Sequence, residues 1–181
     1  MNSFEYEEQC CRRWVEEMVI GHGFCPFAQR EFLRNSIRYA FCPGNKSKNL
    51  LATLLAEYQF LNDHPEIETT LVIMPQGFTD FHRYLQVLEE AILDLVDEGF
   101  EGIYQLASFH PEYCFTHCEV DDPANFTNRS PYPIVHIIRE EGLARAIAAY
   151  PDVEAVPQRN IDYARSLGFE YLRKQLVQLL S

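Results

Sequence analysis

The 181-residue chain is long enough for one domain with a substantial core and too short for two of ordinary size. With 47% hydrophobic and 23% charged residues, it falls outside the disordered and low-complexity classes. Fifteen Lys+Arg against 27 Asp+Glu leave a formal charge of −12, which repels polyphosphates and anionic lipid and argues against nucleic-acid and membrane partners.

Apolar residues at helical spacing (Cys11, Trp14, Val15, Met18) predict a helix over 4–20, with Gly21 and Gly23 as its stop. Cys25-Pro26-Phe27-Ala28 opens a short second helix, Pro26 suiting its first position. A strand is expected over 37–41, then a helix capped by Ser47 and running to about 61. Thr69 to Met74 is continuously apolar and β-rich, as a strand buried on both faces should be. Thr79 or Asp80 caps a helix over 81–97, and Ile103 to Ser108 forms a third strand. The stretch 109–132 has no periodicity. Ile134 to Ile138 reads as a fourth strand, although Ile134, Ile137 and Ile138 would also line a helix face. A helix over 142–150 and a last helix, capped by Asn160 and kinked at Gly168, complete the chain.

Strands alternating with helices predict a single layered α/β domain of about four mostly parallel strands, with the N-terminal helix packed on it. A structureless loop as long as 109–132 inside a compact domain is more often functional than not. No apolar run nears the roughly 20 residues of a membrane span. The acidic start MNSFEYEEQCCRRWVEEM is unlike a signal peptide, so a cytoplasmic protein with free thiols is expected.

The blocks Gly23-Phe-Cys25-Pro-Phe-Ala28, Gln105-Leu-Ala-Ser-Phe-His-Pro111 with Tyr113 and Phe115, Thr127-Asn-Arg-Ser-Pro-Tyr-Pro133, His136-Ile-Ile-Arg-Glu140 and Pro157-Gln-Arg-Asn160 carry a resemblance. Together with Thr69 to Val72 and Asp80-Phe81, they resemble the uncharacterised, mostly bacterial domain-of-unknown-function family 1415. The resemblance spans about 23–168 and implies no activity. Cys114, His117 and Cys118 lie outside its pattern.

Cys25, at a predicted helix N-terminus, reads either as a thiolate nucleophile or as an inert packing thiol. His110 follows a predicted strand, where it would act as general acid or base, whereas His136 within an apolar run reads as a satisfied core residue. Asn128, Arg129 and Ser130 present an amide, a guanidinium fork and a hydroxyl for anchoring a carboxylate or phosphate. Arg139 supplies a second clamp, Glu140 a base, and Tyr113 joins the substrate-binding set. Arg129 tying the loop to the sheet is the competing structural reading. His110, Cys114 and Cys118 share a helical spacing suited to metal, but Pro111 leaves His110 at a cap, so no metal is assigned. Neither GxxxxGK[ST] nor GxGxxG occurs, and no cofactor is named. The expectation is a small enzyme, hydrolase or transferase, acting on a small anionic metabolite. A non-catalytic binding or sensing module, or a metal protein using His110 and His136, are the alternatives.

Overall fold

Side chains of a strand alternate between the two faces of a sheet, so an apolar run such as Thr69 to Ile73 demands cover on both sides. The computed structural model, which describes residues 4–181, supplies that cover. Four strands, β1 (Ile37–Phe41), β2 (Thr69–Ile73), β3 (Tyr104–Phe109) and β4 (Ile134–Arg139), form one sheet in the order β1-β2-β4-β3. All five residues of β2 are buried.

One layer holds α3 (Ser47–Asp63) and α4 (Phe81–Asp97), whose Leu50, Leu54, Tyr84 and Val87 pack on Ala40, Val72, Val135 and Ile137. The opposite layer begins with α1 (Glu5–Arg13), which widens into a π-helical segment (Trp14–Ile20). It ends with α6 (Val156–Leu167) and α7 (Phe169–Gln178). Trp14, Val15, Ala164 and Leu172 there meet Tyr39, Leu71, Ile73 and Ile134. Two further helices, α2 (Ala28–Leu33) and α5 (Glu140–Ala149), complete the α-helical elements of the described residues.

The expectation of a mostly parallel sheet is corrected. Only β1 and β2 pair in parallel, from Ile37 opposite Thr69 to Phe41 opposite Ile73. β4 enters antiparallel between β2 and β3, with Ile73 and Phe109 both opposite Ile134. A parallel connection needs a crossover, usually a helix, to carry the chain back over the sheet. The segment after β3 holds just a short 3-10 turn at Pro123–Thr127, so the chain folds back beside β3 instead.

Local starts and stops differ from expectation in instructive ways. Asp80 caps α4, accepting a hydrogen bond from the Arg83 amide at 2.8 Å. Ser47 does not cap α3; it is the first helical residue, and Lys46 precedes it in extended conformation. Asn160 lies inside α6 and donates to the Phe24 carbonyl at 2.6 Å. Gly168, at φ 85° and ψ 154°, breaks the predicted last helix into α6 and α7 rather than kinking it. Among the described residues no helix is long and apolar enough to cross a membrane.

Candidate active site

Between the N-terminal helical segment, the sheet and α5 lies a cavity of about 280 Å³. Its floor is the strand face carrying Ile37, Thr69, Leu71, Ala107, His136 and Ile138, and Trp14, Val15 and Val19 form one wall. The lining is overwhelmingly apolar. Ala107, directly opposite His136 in the β3–β4 register, contributes little side-chain volume to this floor.

His136 is the main polar group of that floor. The Thr69 hydroxyl is within hydrogen-bond reach of both the His136 Nε2 and the Ile137 carbonyl. A carbonyl can only accept, so the hydroxyl donates to Ile137 and its oxygen accepts from Nε2–H. That fixes the tautomer and leaves the Nδ1 lone pair with no hydrogen-bond partner among the described residues. The apolar surroundings lower the imidazole pKa to about 4, so the ring is neutral at physiological pH.

Cys25 lines the same cavity. Its expected activation by a helix N-terminus is corrected, because α2 begins only at Ala28 and Pro26 is not its first residue. Burial pushes the Cys25 thiol up, and hydrogen bonding to the Phe27 and Ala28 amides opposes this without overcoming it. The rim is charged. Arg145 pairs with Glu141, Arg30 lies 3.5 Å from Glu31, and the Glu68 carboxylate presses on Gly142 in the first turn of α5.

The other nominated residues do not reach this cavity. His110 is wholly buried against Phe81 and Tyr84, on the α4 side of the sheet. Its Nε2 meets the Phe78 carbonyl at 2.9 Å and its Nδ1 accepts from the Glu112 amide at 3.0 Å. Burial lowers its pKa, and both ring nitrogens are engaged. Arg129 is also buried, donating to the carbonyls of Tyr113 and Val120. Asn128 donates to the Ser108 carbonyl, and Ser130 to that of Tyr132. Tyr113 packs tilted against Phe81 and edge-on to Phe115. Arg139 donates to the carbonyls of Leu61, His64 and Ile67 at the end of α3 and beyond. Glu140 opens α5, its amide bonded to Ile103. The structure therefore brings Cys25 together with His136 and not with His110, Arg129 or Glu140. Among the described residues, no group of three or more His, Cys, Asp or Glu is arranged to hold a metal ion.

The family profile described as "Protein of unknown function (DUF1415)" matches residues 6–174. The chain belongs to this family. The match takes in Cys25, Thr69, Ala107 and His136, so the whole cavity floor lies within the DUF1415 region. Comparison with curated proteins and with solved structures gives no match.

Sequence reasoning favoured a core role for His136, keeping it otherwise only as a ligand in the metal-binding alternative, and passed over Thr69 and Ala107 as site residues. One signal was available. Ile134, His136 and Ile138 share a strand face, and a single imidazole on an otherwise aliphatic face needs a partner that strand neighbours can supply only if one is polar. Thr69 is that neighbour, two residue pairs from His136 in the β2–β4 register and so on the same face, where Leu71 is opposite His136 and Thr69 opposite Ile138.

Proposed function

We propose that the protein binds a small, predominantly apolar molecule in the cavity between the N-terminal helical segment and the sheet. One observation carries this reading: an apolar cavity of about 280 Å³ whose floor offers an unpartnered imidazole nitrogen. A dry apolar cavity of about 150 Å³ accommodates benzene, so a ligand of roughly ten to fifteen non-hydrogen atoms suits this one. The His136 Nδ1 accepts a hydrogen bond, so the ligand carries a donor, such as a hydroxyl or an N–H. The small anionic molecule inferred from sequence fits less well, since the guanidinium groups of Arg129 and Arg139 are bonded to backbone carbonyls away from this space.

Indole and benzyl alcohol, uncharged and bearing one donor, are suitable probes. Either should raise the melting temperature and slow alkylation of Cys25. Ala107→Phe, which places a ring in the cavity on a strand that tolerates aromatics, should abolish both effects while the protein stays folded. Probe binding that survives Ala107→Phe, or no binding by either probe, overturns the reading.

A catalytic reading rests on Cys25 and His136 lining one cavity. For a hydrolase or transferase the neutral imidazole would take the thiol proton through Nδ1, against burial that lowers the imidazole pKa and raises that of the thiol. It requires that His136→Gln shift the pH profile of Cys25 alkylation upward; an unchanged profile eliminates it.

A further inference from the structure

We propose that the groove beside Arg129 is a second binding site, separate from the sheet cavity, that takes the carboxylate of a small apolar acid. Arg129 is only 7% exposed, and a buried cation ordinarily has a carboxylate beside it. None of the ion pairs among the described residues includes it. Its Nε donates to Tyr113 at 3.1 Å and one terminal nitrogen to Val120 at 2.7 Å. The faces of Phe126 and Phe169 lie 4.7 and 5.6 Å from the guanidinium carbon. Carbonyls and rings offset part of the desolvation, Glu112 acts on the guanidinium at longer range without forming an ion pair, and the other terminal nitrogen has no hydrogen-bond partner among the described residues.

Arg129 lines a groove of about 270 Å³ together with Arg173, Pro131, Leu176 and Val177. Arg173 pairs with Glu170 at 2.8 Å, but both side chains are more than half exposed. Exposed pairs of that kind are weak, so Arg173 is free to turn toward a ligand. Two guanidinium groups, one of them paired with Glu170, oppose at this groove the field of a protein of charge −12. Apart from Ser130, whose hydroxyl donates to the Tyr132 carbonyl, the remaining walls are aliphatic or aromatic, which selects an acid with an apolar body over a bare anion. The groove shares no lining residue with the sheet cavity.

Benzoate, titrated into the full chain and followed by amide chemical shifts, is the test, with benzamide as its uncharged isostere and inorganic phosphate as a charge without an apolar body. Benzoate should bind at least about tenfold more tightly than either, as a charged fork partner requires. Arg173→Gln, a change at an exposed position, should weaken benzoate by about fivefold or more, while Ala107→Phe should leave it unchanged. Absence of benzoate binding, equal binding of benzamide or phosphate, retention in Arg173→Gln, or loss in Ala107→Phe each overturns the proposal. Loss in Ala107→Phe would place the acid in the sheet cavity instead.

Discussion

Arg139 ends β4 with its guanidinium against the C-terminal turn of α3. Nε donates to Ile67 at 2.9 Å, one terminal nitrogen to His64 at 3.1 Å and to Leu61, and the other to the Tyr104 hydroxyl at 3.3 Å. The last carbonyls of a helix have no partner within it and sit at the negative end of its dipole, so one cation satisfies several of them. Arg139→Ala should lower stability by about 1.5–3 kcal/mol, the range for hydrogen bonds to a charged group, seen as a lower denaturation midpoint. Arg139→Lys should recover only part, since a single ammonium cannot span carbonyls on both sides of His64. Arg139 and Arg129 were nominated from sequence as anchors for an anion, and both hold backbone carbonyls. A carbonyl acceptor belongs to every residue type and leaves no mark in a sequence, which is why such partners could not be read there. His110 was likewise recognised as chemically capable, but its two partners are the backbone of Phe78 and Glu112.

Secondary structure was far more legible than these partners, because hydrophobic period and cap chemistry are local. The strand over 37–41 and the helix over 81–97 occur as read, and Asp80 caps the latter. Pairing direction was not legible, because it depends on whether the connection after β3 can cross the sheet, and that segment lacks a helix long enough to do so. The π-helical widening at Trp14–Ile20 was also hidden, since its apolar spacing resembles that of an ordinary helix. Gly168 marks the clearest backbone requirement among the elements. Its φ of 85° with ψ of 154° lies in a region open essentially to glycine, so Gly168→Ala should cost about 1–3 kcal/mol by thermal denaturation. Gly142 poses a different case. A Cβ there meets the Glu68 carboxylate, the mobile end of a flexible side chain. Gly142→Ala gains up to about 1 kcal/mol of helix propensity and displaces a carboxylate worth about 0.3–1 kcal/mol at the helix N-terminus. The two nearly cancel. In a Glu68→Ala background the same change should therefore be stabilising by close to the full propensity gain, and a double-mutant cycle in urea reads the difference.

Across the whole molecule, acidification sets two effects of opposite sign against each other. Protonating surface carboxylates relieves the self-repulsion of a chain at −12, which favours the folded state and is screened by salt. His136 acts the other way. Its folded-state pKa of about 4 lies below the roughly 6.5 of an unfolded histidine, so the unfolded chain binds a proton in this interval and the folded chain does not. Stability from this residue is complete above about pH 6.5 and is lost progressively as pH falls toward 4. Burial lowers the His110 pKa too, with the Phe78 carbonyl and then Glu112 and Asp80 pulling it partly back, so both histidines destabilise the acid form in the same direction. Separating His136 from His110 and from the surface charge requires comparison within one salt concentration. Between pH 7 and pH 5, the parent should lose about 2 kcal/mol relative to His136→Gln, whose side chain does not titrate. The comparison uses the change with pH, so a constant cost from losing the Thr69 hydrogen bond cancels. Urea denaturation at both pH values, in 0.5 M salt to suppress the surface contribution, measures it. Parallel pH dependence in the two proteins would show that His136 is solvated in the folded state. The cavity floor would then be wet rather than dry, and the apolar ligand proposed for it would have to displace ordered water from the His136 Nδ1.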